Sequence, residues 1–68
     1  MNPLQNNIMS IIVGTNRAID VGEITLNLNG ENRHRVQAEL HILDDDGLVT
    51  MRNGFYKVSA SYRRGEHS

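Results

Sequence analysis

Four glycines, at positions 14, 30, 47 and 54, cut this chain into stretches of which the longest, 31–46, has 16 residues. Gly30 follows Asn29 and Gly54 follows Asn53, pairs that readily take positive φ and so turn the backbone. Whatever this chain becomes must be assembled from short pieces. The apolar period between stops decides whether each piece is helix or strand.

Residues 3–13, PLQNNIMSIIV, carry Leu4, Ile8 and Ile11 at i, i+4 and i+7, with Ile12 at the edge of that face, and the spacing predicts a helix. Asn2 suits its N-cap and Pro3 its first turn, where a missing N–H costs nothing; Gly14 is the expected stop. TNRAI reads as a short extended link with Ile19 pointing inward. Asp20, with Glu23 three residues on, makes a variant capping box and opens a second helix from Val21 to about Leu28, burying Val21, Ile24 and Leu28. Asn32 caps a third helix to about Asp45. Val36, Leu40 and Leu43 share one side of it, while His34, Ala38 and His41 point the other way with Gln37 flanking them. Arg35 and Glu39 stand four apart, in position to pair. After Gly47, LVTMR and FYKVS read as two strands joined through Asn53-Gly54, a strong hairpin signal. The stripes converge on one core of Ile8, Ile11, Ile24, Leu28, Val36, Leu40, Leu43 and Tyr56. One domain is expected over 1–60, with 61–68 a disordered tail that includes Arg63 and Arg64.

A chain of 68 residues buries only ~60% of its unfolded surface, so the core is thin and an enclosed enzyme pocket of ordinary size is hard to build. There is no cysteine, which excludes disulfides and thiolate metal sites. No apolar run approaches the ~18 residues of a membrane span. MNPLQNN has neither the charged region nor the cleavage site of a signal peptide, so a cytoplasmic protein is expected. Net charge is −1, yet six of the seven basic residues (Arg33, Arg35, Arg52, Lys57, Arg63, Arg64) lie after residue 30, and three of the eight acids are packed into Asp44–Asp46. That separation gives a basic face on a nearly neutral molecule.

The order of helix, short strand, helix, turn, helix and two-stranded hairpin resembles the winged helix-turn-helix superfamily, in detail over residues 19–58. DVGEI…L is similar to that family's second helix. NRHRVQAELHILDDDGLV is similar to its third helix with an L-x-x-L-x-x-x-G-L-V exit, and MRNGFYKV to its wing. The layout resembles small bacterial, phage and plasmid transcriptional regulators, although the Asp44–Asp46 run is more acidic than is usual there. The resemblance implies an α+β fold of three helices with a C-terminal β-hairpin wing. It also implies sequence-specific binding of double-stranded DNA, the third helix (about 32–45) in the major groove and the wing (about 48–58) on the backbone. The site residues would be Asn32, Arg33, His34, Arg35, Gln37, Ala38, His41, Arg52 and Lys57.

The residues agree with that implication. Arginine grips guanine bidentately and glutamine adenine. Arg33, His34, Arg35 and Gln37 occupy the end of the helix that meets bases, and the aspartates the end that does not. A solvated helix face and ordinary hairpin charges are the bland alternatives. His34 and His41 are seven residues apart, ~10 Å along a helix and too far to share an ion, so no metal is expected. No catalytic motif is present, so no enzyme and no cofactor are expected.

Met9 and Val13 face away from the first helix's stripe, and Leu26 from the second's; these are the candidate contacts of a homodimer. The alternative function is a winged-helix module that binds protein and leaves DNA alone. The third helix's outer face argues against it, because Ala38 is its sole apolar member and hot-spot anchors are missing. RNA binding has little support, as one Phe and two Tyr leave few stacking platforms.

Overall fold

The computed structural model describes residues 1–63. They form a small α+β domain of four helices and a three-stranded antiparallel sheet. Helix α1 (Pro3–Thr15) begins with a capping box. Asn2 Oδ1 accepts from the Gln5 N–H at 2.7 Å, and Gln5 Oε1 accepts from the Asn2 N–H at 3.1 Å. The box expected at Asp20 is only half made. Asp20 Oδ1 accepts from the Glu23 N–H at 2.8 Å, but the Glu23 side chain turns to Arg17 instead of back to the cap. Nor does α1 stop at Gly14. It continues to Thr15 and ends on Asn16, whose φ of 57° is left-handed. Asparagine visits that region at little cost, and the next residue in line to stop the helix was the one that did.

The apolar face of α1 is turned from its expected position. Leu4, Ile8, Met9 and Ile12 are buried and Ile11 only partly, because α1 packs at once on α2, α3 and β3, which demands a wide stripe. Met9, expected in a dimer contact, is 2% exposed and belongs to the core; that expectation is withdrawn. Strand β1 (Ile19–Asp20) brings Ile19 fully inside, and Asp20 then caps α2 (Val21–Leu26). This helix is shorter than expected. The Asn27 amide donates to the Glu23 carbonyl at 2.9 Å and the Asn27 N–H to the Ile24 carbonyl at 3.1 Å, a tight closure that ends the α ladder while leaving Leu28 buried.

Helix α3 (Arg33–Asp45) starts at Asn32, whose Oδ1 accepts from the His34 and Arg35 N–H groups at 2.8 and 3.3 Å. It closes at Gly47, φ 77°, with the Gly47 N–H on the Asp44 carbonyl and the Leu48 N–H on the Leu43 carbonyl at 3.0 and 2.9 Å. That paired closure needs a left-handed residue, which is why the glycine is there. Strands β2 (Val49–Arg52) and β3 (Phe55–Val58) pair Val49 with Val58, Thr50 with Lys57, Met51 with Tyr56 and Arg52 with Phe55. Asn53 and Gly54 both have positive φ, 53° and 82°, the two-residue turn whose twist matches the strands. β3 is central, because Ile19 and Asp20 pair with Tyr56 and Phe55 on its other edge.

A fourth helix, α4 (Ala60–Arg63), corrects the expected count of three and the expected tail for residues 61–63. Buried Ser59 places it: its N–H donates to the Leu48 carbonyl at 3.0 Å, its Oγ accepts from the Tyr62 N–H at 3.1 Å, and Tyr62 packs on the core. Residues 64–68, Arg64 among them, lie outside the described residues. Among the described residues no helix is long and apolar enough to cross a membrane, and no group of three His, Cys, Asp or Glu is placed to hold a metal ion.

Candidate nucleic-acid interface

Val36, Leu40 and Leu43 are fully buried, so the fold fixes which way the rest of α3 faces. Arg33, His34, Arg35, Ala38 and His41 are exposed and Gln37 is half-buried. Asn32 is exposed too, but its side-chain oxygen is engaged in capping α3, and it does not line the groove beside the hairpin. Arg35 does not pair with Glu39. The Glu39 Oε1 instead accepts from Gln5 Nε2 at 2.8 Å and Asn2 Nδ2 at 3.3 Å, pinning the start of α1 to the middle of α3 and leaving Arg35 outside.

An open groove of about 520 Å³ runs between α3 and the hairpin. Arg33, Gln37 and His41 form one wall; Met51, Asn53, Gly54, Phe55 and Tyr56 form the other, with Asp20 and Val21 at the floor. Gln37 Nε2 donates to the Tyr56 hydroxyl at 2.7 Å. The ring of Tyr56 is in the core, so this bond fixes the amide from below while its second N–H and its carbonyl remain available outward. Arg33 also lines a neighbouring hollow with Gly22, Thr25 and Leu26, where Nη1 lies 3.6 Å from the position of a Cβ on Gly22.

Arg52 and Lys57 are placed differently. The register puts Thr50, Arg52, Phe55 and Lys57 on one sheet face and Val49, Met51, Tyr56 and Val58 on the other. The first set is exposed, and with Ala18 and Asn53 it surrounds a hollow of its own. Thus Arg33, Gln37 and His41 are gathered beside the hairpin tip, His34, Arg35 and Ala38 lie outside that groove, and Arg52 and Lys57 sit on the hairpin's outer side. Among the described residues, Arg17 and Glu23 form the ion pair; Arg33, Arg35, Arg52 and Lys57 form none. Hydrogen bonds to Glu23, and then its charge, raise the Arg17 guanidinium above its ordinary pKa.

The sequence reading missed the apolar members of this surface. Met51 and Phe55, 46% and 45% exposed, flank the turn, and Ile42 stands one helical turn beyond Ala38, exposed to a similar degree. Ala38 is therefore not the outer face's sole apolar residue. The hairpin register, already implied by Asn53-Gly54 and the alternation, was the signal that placed Phe55 opposite Arg52. Compared with family models, with curated proteins and with solved structures, the chain matches none of them.

Proposed function

We propose that this chain is a winged helix-turn-helix protein that binds double-stranded DNA sequence-specifically, a small cytoplasmic transcriptional regulator with a binding role and no catalytic one. Helix α3 enters the major groove, and the β2–β3 hairpin is the wing on the adjoining backbone. One observation carries this reading: Arg33, Gln37 and His41 share an open groove with the hairpin tip, so base-reading side chains and a backbone-spanning turn project from the same side. The order α1, β1, α2, α3, β2, β3, with β3 central, supports the fold assignment. Arg33, His34, Gln37, Ala38 and His41 address base edges; Arg35, Arg52 and Lys57 address phosphates.

The test is a titration of binding to random-sequence duplex against salt. Log affinity falls linearly with log salt, by about 0.9 for each phosphate neutralised. A flat profile, or no binding at low salt, overturns the reading.

A protein-binding module is the second reading, and exposed Leu26 (87%), Ile42, Met51 and Phe55 favour it. Leu26 and Val13, both exposed, are the remaining candidates for a homodimer contact. Sedimentation of the full chain with and without duplex tests this, and a monomer in both conditions removes it.

A further inference from the structure

We infer that the hairpin tip is an apolar wedge, in which Phe55 and Met51 enter the minor groove beside α3, press between base pairs and bend the duplex. The inference rests on the duplex-binding reading and concerns what the wing does there.

Met51 and Phe55 flank the Asn53-Gly54 turn and stand on opposite faces of the hairpin, nearly half exposed in both cases. Tyr56, between Phe55 and Lys57, is buried on the inner face, while Phe55 on the outer face keeps 45% of its surface exposed. The tip is also a tight two-residue turn. Both turn residues hold positive φ, and the Gly54 N–H donates to the Met51 sulfur at 3.4 Å. A tight turn with an apolar side chain on each side presents a narrow apolar end of the kind inserted between base steps.

Charge selects the occupant. Arg52 lies directly across the strands from Phe55, and Lys57 follows Phe55 on the same face, so two cations adjoin the aromatic ring. Asp20, which pairs with Phe55 from the other edge of β3, has its Oδ1 engaged in capping α2. Apolar side chains inserted at a base step, with cations against the phosphates alongside, are how proteins open and kink a minor groove. Sugar rings and base faces meet Phe55 and Met51, and phosphates meet Arg52 and Lys57.

The probe is a duplex selected by the full chain from a random-sequence pool, carrying a donor and an acceptor dye at its ends. Failure to select any duplex removes the duplex-binding reading itself. Given a selected duplex, binding should raise energy transfer between its ends. A Phe55→Ala, Met51→Ala double variant, with an unchanged melting curve, should bind more weakly and leave the duplex straight in the complex that remains, and Phe55→Leu should restore much of the bend. A single mismatch under the wing should tighten wild-type binding several-fold, because a mismatched step is easier to unstack, and should not tighten the double variant. A straight wild-type complex, or an equal bend from the double variant, overturns the wedge and leaves those side chains to a protein partner.

Discussion

Helices α1 and α3 have the same length, 13 residues each, and bury different shares of it. α1 buries Leu4, Gln5, Ile8, Met9 and Ile12, a face broad enough to touch α2, α3 and β3 together. α3 also packs on three elements, α1, α2 and β2, but buries only Val36, Leu40 and Leu43; Gln37, Glu39 and Asp44 are half-buried and its other seven residues are exposed. A domain this small has reason to bury whatever it can. Arg33, His34, Arg35 and His41 stay exposed on α3 all the same, and that is what makes its outer face the candidate interface. The comparison teaches where to look: packing buries five residues of α1 and three of α3, so more of the α3 surface is left for other contacts.

The largest expected effects test whether those lines are drawn correctly. Leu40→Ala on α3 and Ile8→Ala on α1 should each lower stability by ~2–5 kcal/mol, the range for deleting a buried aliphatic side chain. Met9→Ala belongs with them, now that Met9 is placed in the core. Val13→Ala and Leu26→Ala, at exposed positions, should stay within ~0.5 kcal/mol. Equilibrium denaturation of the five variants decides. If Met9→Ala is silent and Val13→Ala is not, the face assigned to α1 is wrong.

Next in size are effects on binding without effects on folding. Arg33→Ala and Gln37→Ala should cost ~1–3 kcal/mol on a selected duplex and little on random DNA. Tyr56→Phe sharpens this, because it keeps the ring in the core and removes only the hydroxyl that holds Gln37. Discrimination should relax at the one base pair Gln37 reads, and competition among single-base variants of the duplex is the measurement. Arg52→Ala and Lys57→Ala should instead weaken all duplexes alike, each lowering the salt slope by about one. Unchanged slopes in both would separate the outer hairpin face from the backbone and confine the interface to α3.

How much of this was legible in the sequence follows from the range of the signals. α3 was legible at both ends and on its buried line, since Asn32, Gly47 and the Val36–Leu40–Leu43 spacing are local and agree. The hairpin and its turn were legible, because an Asn-Gly turn sets register locally, although LVTMR and FYKVS each run one residue beyond the strands Val49–Arg52 and Phe55–Val58. The rotation of α1 was not, because it depends on how many neighbours share the helix, and Met9 looks surplus until all three are in place. The partner of Glu39 was hidden for the same reason: Arg35 is close in sequence, but Gln5 arrives from 34 positions away. α4 spans four residues, too few to show a period, and is held by Ser59 and Tyr62. Of the site, the α3 residues were legible from helical spacing. The grouping was not, since it took the packed hairpin to divide Arg33, Gln37 and His41 from Arg52 and Lys57.

The smallest expected effect concerns a helix stop that the sequence misplaces. Gly14 reads as the stop of α1, yet the helix runs through it and ends on left-handed Asn16. A glycine inside a helix is a liability of ~0.5–1 kcal/mol relative to alanine, chiefly because its unfolded chain is freer. Nothing lies within 4 Å of where a Cβ on Gly14 would sit, so the added methyl meets no obstacle. Gly14→Ala should therefore stabilise the domain by ~0.5–1 kcal/mol. Had Gly14 been the left-handed stop, the same change would destabilise it, so the sign alone decides between the two endings. Gly47→Ala is the control on α3: that residue does hold φ of 77°, and alanine there should cost stability. Thermal unfolding of the two variants side by side, one melting above the wild type and one below, establishes that α1 and α3 end by different residues. Both melting below would return the end of α1 to Gly14.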